Sequence, residues 1–292
     1  MAGNEVLSVK MKKRGQSKEI WRRFVKNKGA VLGLAFIVLL TILALVPSLI
    51  APYGFDEQML SRRFKAPSLE YPFGTDEFGR DIFSRVIFGC RISLTLGLVS
   101  VTISCLIGII LGCVSGYYGK VVDNIIMRFI DIMLSIPNIL LAVSIVAAMG
   151  TSFFNLILAI GIGAVPGYAR VVRASILSVK EQEYIEAARS NGASDWRIIT
   201  RHIIPNCMAP IIVQATMSIA AAIIQGAGMS FIGLGIMPPT PEWGSMLASG
   251  RAFIRDYWWV VTFPGLAIML TVFSINLLGD GLRDALDPRL KS

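Results

Sequence analysis

His202 is the single histidine of this 292-residue chain. Its four cysteines, Cys90, Cys105, Cys113 and Cys207, lie in or beside apolar segments without metal-ligand spacing. Cysteines so placed act as small apolar packing residues, which argues against a disulfide framework or a structural metal site. No G-x-x-x-x-G-K-[ST] string is present to cradle a nucleotide phosphate. Nor does a Ser-His-Asp, His-Glu-x-x-His or paired-carboxylate arrangement occupy a plausible site. The centres of the apolar blocks lack Asp, Glu, Lys and Arg, so no titrating group is in place to couple ion flow to transport. Polar chemistry is concentrated instead in Tyr184 to Asn206, the only long polar segment between hydrophobic blocks in the second half.

Within that segment Tyr184 to Arg189 is rich in helix formers, and Gly192 follows where a left-handed C-cap costs least. Ser194 or Asp195 is then placed to cap a second short helix running toward Pro205. The expectation is a helix, a tight turn and another helix lying across a membrane surface. Ala187 and Ala188 are small enough for a partner to approach the backbone, while Glu186, Arg189 and Arg197 supply charge for orientation. A plain connecting loop is the competing reading of these residues.

The elements around it are set by composition. With 54% hydrophobic and 16% charged residues and a mean hydropathy of +0.65, the chain belongs in a bilayer, since soluble domains carry roughly a quarter charged residues. The net charge of +9 clusters at the ends of apolar blocks, a positive-inside pattern rather than a nucleic-acid-binding face. Residues 1–28 are basic, and Ser17 to Lys28 reads as an amphipathic helix with Ile20, Trp21, Phe24 and Val25 toward lipid. The apolar block from Gly29 is too long for a signal-peptide core and reads as a first crossing, closed near Pro47 and Pro52. A polar external excursion over 53–90 follows, then a second crossing from Ile92 to Gly119. The uncharged run from Ile132 to Ala169 suits two helices broken at Gly150-Thr151-Ser152. A cytoplasmic loop over 180–205, a fifth crossing ending at Ser230 to Gly235, an external re-entrant segment over 236–257 and a last crossing anchored by Trp258 and Trp259 complete the chain. Gly108 with Gly112, and Ala159 with Gly163, are spaced for close helix packing. Asn155, Gln214, Gln225 and Asn276 either line a path or bond to neighbouring helices. No internal repeat stands out. The layout is all-α, with six crossings over 29–292 and both termini cytoplasmic.

Three separated motifs carry a family resemblance. Glu186-Ala187-Ala188, Gly192 and Ile204-Pro205 resemble the EAA loop of ABC-importer permeases, with His202 at a usually aliphatic position and Ile204 in place of Leu. The string Phe73-Gly74-Thr75-Asp76-Glu77-Phe78-Gly79-Arg80-Asp81-Ile82-Phe83-Ser84-Arg85 is similar to a hallmark of the C-type permease of dipeptide, oligopeptide and nickel importers. So are Ser230 to Gly235, the prolines 238, 239 and 241, and Trp243-Gly244. Relatives often carry a glutamate where this chain has Gly226.

The resemblance implies a type I ABC importer permease fold in a bacterial or archaeal cell membrane. The implied partners are a homologous B-type permease, two cytoplasmic ATPases and an extracytoplasmic substrate-binding protein. It also implies that this chain is no enzyme and holds no cofactor, ATP and magnesium being bound by the ATPases. Glu186, Ala187, Ala188, Arg189, Ser190 and Gly192 would then couple the permease to them. Di- or oligopeptides are the implied cargo, with nickel, a nickel chelate or glutathione as alternatives. An ATP-independent channel subunit and a membrane-embedded enzyme are the remaining rival classes.

Overall fold

The computed structural model describes residues 18–287. The basic residues at 10–14 and the final Arg289 and Lys291 lie outside that range. Helix α1 covers 18–26 and stops at Asn27, whose Oδ1 accepts from the Ala30 N–H at 3.1 Å and caps α2 (Lys28–Leu45). A side-chain oxygen there satisfies one of the donors that a helix start leaves open. Pro47 cannot extend that ladder and opens the one-turn α3 (Pro47–Ile50). α1 does not turn its whole apolar face outward: Phe24 is buried against Ala30 and Ala285 and Ile20 packs beside it, leaving Trp21 and Val25 exposed.

Asp81 starts α4 (Ile82–Tyr118), its Oδ2 accepting from the Ser84 N–H at 2.7 Å. Residues 82–90, expected in the external excursion, therefore form the first turns of this helix. Their polar groups are satisfied internally. Arg85 donates to the Phe55 carbonyl at 2.7 Å, and Arg91 donates to the carbonyls of Ala44 and Leu45 at 2.8 and 3.0 Å.

Gly119, at φ 64°, ends α4, and α5 (Lys120–Leu134) follows at once. The uncharged run is broken twice rather than once, at the expected 150–152 and also at Ser135-Ile136-Pro137. Pro137 disfavours helical backbone in the residue before it and brings no N–H of its own. As a result α5 and α6 (Asn138–Met149) meet at 86°. At 1.5 Å per residue α6 alone reaches about 18 Å, short of the ~30 Å hydrocarbon core. The pair makes one traverse together. It leaves the end of α4, and Thr151 to Phe153 arrive beside Ile92, Ile236 and Met237 near the opposite end.

α7 (Phe153–Lys180) returns along α4. The contact is permitted by Gly108 and Gly112, as the spacing predicts: a Cβ at Gly108 would lie 2.3 Å from that of Tyr168, and one at Gly112 would lie 2.7 Å from that of Val172. Gly163 serves no such contact, since nothing approaches its Cβ position closer than the Asn138 carbonyl at 3.8 Å. Next come α8 (Glu183–Ser190), α9 (Asp195–Ile198) and α10 (Ile204–Phe231), joined by a wide π-helical turn at Ile199–Ile203. The short helix expected to stop near Pro205 instead runs on into the crossing. In a regular helix the Pro205 ring would meet the Arg201 carbonyl, and the widened turn makes room for it. α11 (Trp243–Gly250) and α12 (Trp259–Leu286) finish the bundle. Among the described residues, five helical rods are long and apolar enough to cross a membrane, and the bent α5–α6 pair makes a sixth.

The end at which α4 begins is closed by a polar cap. Asp76 Oδ2 holds Arg80 Nε at 2.6 Å with Arg85 Nε at 3.8 Å, all three side chains nearly inaccessible. Trp259 is not an exposed interfacial anchor like Trp258. It is buried and donates from Nε1 to the Thr75 carbonyl at 3.2 Å, while Trp243 donates to the Val86 carbonyl at 3.0 Å. A Cβ at Gly89 would sit 2.7 Å from the Trp243 ring, so α4 needs glycine there. α11 is thus buried within the cap rather than dipping toward lipid as a free segment.

Candidate functional site

At the opposite end, α8 and α9 form an elbow across the ends of α4 and α7. α8 terminates by the arrangement its glycine calls for. Gly192, at φ 75°, donates to the Arg189 carbonyl at 3.0 Å, and Ala193 donates to the Ala188 carbonyl at 3.1 Å. These two bonds satisfy carbonyls that a helix end leaves open, and a left-handed residue is needed to make them. Ser194 holds the N-cap position of α9, but its hydroxyl makes no capping bond.

The elbow is fixed from below. Ile185, Ile198 and Ile203 are fully buried in a cluster with Cys113, Tyr117, Val172 and Ile176 from α4 and α7. Tyr117 donates its hydroxyl to Asp195 Oδ1 at 2.6 Å, and the Arg189 guanidinium lies 5.9 Å from the centre of the same ring. Lys180 donates to the Tyr117 carbonyl at 2.8 Å. Asp123 receives both Nε and Nη2 of Arg173 at 2.6 Å, which ties α5 to α7 beside the elbow. Such bidentate pairs fix geometry as well as charge.

Its upper side is open. Glu186, Ala187, Arg189, Ser190, Asn191 and Gly192 are all exposed, and a Cβ at Gly192 would meet nothing within 4 Å. Trp196 is 76% exposed, a large apolar ring with little cover from the described residues. Ala188 behaves differently from Ala187: it is half-buried and packs with Ala193 against the isoleucine cluster. Its smallness serves the seating of α8, whereas the smallness of Ala187 leaves the backbone approachable from outside. The sequence does not single out Tyr117 or Trp196 as site residues, although Trp196 falls within the second short helix expected there. The signal available was their type alone, because the 78-residue separation of Tyr117 from Asp195 hides their bond.

The bundle and elbow have a fold found in solved ABC transporters. Solved structures with this fold include the methionine ABC transporter MetNI in inward-facing conformations, at TM-score 0.57 and 20% identity over 70% of this chain and 96% of that one. A second is an amino acid ABC transporter with histidines, at TM-score 0.53 and 17% identity over 69% and 94%.

Residues 108–292 match the family model of the binding-protein-dependent transport system inner membrane component, and the chain belongs to that family. Residues 15–67 match the N-terminal TM domain of oligopeptide transport permease C. The chain is 48% identical to the di/tripeptide transport system permease protein DppC of Pseudomonas aeruginosa (strain UCBPP-PA14), covering 94% of this chain and 93% of the relative. It is 46% identical to the dipeptide transport system permease protein DppC of Alkalihalophilus pseudofirmus over 94% and 90%. The glutathione transport system permease protein GsiD of Pectobacterium atrosepticum matches at 46% over 94% and 92%. The C-type resemblance read from the motifs holds, and the chain is a multi-pass transport permease subunit. These relatives are bacterial, and none of them supports an archaeal setting.

Proposed function

We propose that this chain carries short peptides across a bacterial cell membrane as the C-type half of an ATP-driven importer. Its partners in this reading are a homologous B-type permease, two cytoplasmic ATPases that bind ATP and magnesium, and an extracytoplasmic peptide-binding protein. The observation that carries the reading is an elbow rigidly seated below and uncovered above, on a chain whose nearly full-length relatives are named peptide permeases. A helix held by buried isoleucines, a buried-ring hydrogen bond and an ion-paired neighbour transmits displacement instead of absorbing it. Glu186, Ala187, Arg189, Ser190 and Gly192 form the contact with an ATPase, and Ala188 sets the height at which they stand. Glutathione is the second cargo favoured by a specific observation, the relative GsiD.

The test uses the reconstituted importer with its binding protein. Ala187→Trp adds bulk to an exposed helical position at no backbone strain, and Glu186→Lys reverses one exposed charge. Both should leave membrane insertion and the melting temperature near wild type while abolishing peptide-stimulated ATP hydrolysis and uptake. Normal transport by both variants would remove the elbow from the coupling path. Uptake that continues without nucleotide and ignores vanadate would replace the reading with a channel.

A further inference from the structure

Between α4, the α5–α6 break, α7 and α10 lies a cavity of about 240 Å³ within the transmembrane part. Its polar lining consists of Ser100, Ser104, Asn138, Gln214, Ser218 and Gln225. None of these groups is charged. Asp131 and Arg170 stand one helical turn from Leu134 and Gly167 at its edge, and they neutralise each other as an ion pair. Gln225 reaches the Asn138 carbonyl at 3.4 Å. The Gln214 carboxamide makes no hydrogen bond to any described residue of this chain.

An amide without a partner is expensive in a membrane-spanning helix, because neither lipid nor packed side chains replace its water. Gln214 is half-buried at the cavity wall, so its carboxamide is open to bond with what enters the cavity, water included. A carboxamide both donates and accepts, and a peptide bond offers the complementary donor and acceptor. An uncharged wall, with the Asp131–Arg170 pair beside it already neutral, makes no demand on the charge of a passing side chain. We infer that this cavity is a transit site for the backbone of a short peptide and that Gln214 is a group that reads it. The chemical class of ligand is a two- or three-residue peptide, recognised by its amide units and not by its side chains. The inference deepens the peptide-permease reading and rests on it.

The complete reconstituted importer provides the test, with radiolabelled dipeptides of one size that carry either a lysine or a glutamate side chain. Gln214→Glu and Gln214→Lys are the paired variants. Gln214→Glu should raise the lysine-to-glutamate uptake ratio about fivefold, the upper end of what one solvated charge pair provides. Gln214→Lys should lower it by a similar factor. Gln214→Leu should cut uptake of both peptides about tenfold while binding-protein-stimulated ATP hydrolysis persists.

A uniform loss in all three variants, without a change in the ratio, would make Gln214 a structural group and overturn the inference. So would loss of the assembled complex on size-exclusion chromatography, which assigns Gln214 to a subunit contact. Unchanged uptake in every variant overturns it too. A wild-type importer that takes up neither peptide brings down the parent reading itself, and it does so before any substitution is made.

Discussion

Glu242 illustrates what burial does to a single side chain in the polar cap. Its two carboxylate oxygens accept from the N–H groups of Gly244 and Ser245 at 2.8 and 2.7 Å, which caps α11. Burial pushes its carboxyl above the usual carboxylate range despite those bonds. A carboxyl whose pKa rises on folding costs nothing below its unfolded value of about 4.3, and the cost grows as pH climbs toward the folded value. Glu242→Gln removes the charge and keeps one capping acceptor. Its melting temperature in detergent, relative to wild type, should therefore become more favourable as pH rises from roughly 4.3, then level off. A difference that stays flat with pH would mean that ionisation of Glu242 is not what the fold opposes. Asp76 is the converse case, because its removal leaves buried Arg80 with only Glu77 at 3.6 Å and takes the nearby carboxylate from buried Arg85. Asp76→Ala should cost about 3–5 kcal/mol, read as lost melting temperature or failure to accumulate.

At the scale of elements, the helices were legible in sequence wherever apolar length or a capping residue marked them. Gly192, with no interior role, announced the end of α8 by its type. The Gly108 and Gly112 spacing announced a close helix contact that the structure places against Tyr168 and Val172. What escaped were features settled by long-range partners. Arg85 falls in the expected excursion, yet its bond to the Phe55 carbonyl and its position beside Asp76 accommodate it in the first turns of α4, and Arg91 donates to the carbonyls of Ala44 and Leu45. Trp259 read as an interfacial anchor because nothing local reveals the Thr75 carbonyl it meets. The break at Pro137 lies inside an uncharged run whose length two helices parted at 150–152 already account for. Among the site residues, Ala187 and Ala188 are alike in sequence, and only the packing separates an outward-facing alanine from a seated one. A packing prediction belongs here. Gly108→Leu forces α4 off Tyr168 and should destabilise the fold by about 1–3 kcal/mol, seen as a lowered melting temperature. A melting temperature equal to wild type would show that the two helices part without cost.

For the whole molecule, the continuous rod Asp195–Phe231 joins the elbow to the cavity. Asp195 is bonded at one end of it, and Gln214 and Gln225 face the cavity farther along. With 1.5 Å per residue, Gln214 lies about 28 Å along the rod from Asp195. A displacement of the elbow reaches the cavity wall through that rod only while it is stiff, and the rod is irregular at the π-helical turn Ile199–Ile203 and again at Pro210. π-turns replace the regular bonding of an α-helix by a wider pattern and are frequent at functional sites. Replacing Thr200 and His202 together by glycine softens the stretch at about 1 kcal/mol per residue relative to alanine. The double glycine variant should keep ATP hydrolysis near wild type and lower the number of peptides imported per ATP several-fold. The corresponding double alanine variant should keep the wild-type ratio, because alanine supports a helix and loses only two half-buried polar groups. Equal peptide-to-ATP ratios in the two variants would mean that force reaches the cavity by another route. The candidate is then α7, which leaves the same elbow and lines the same cavity at Ile160 and Gly163.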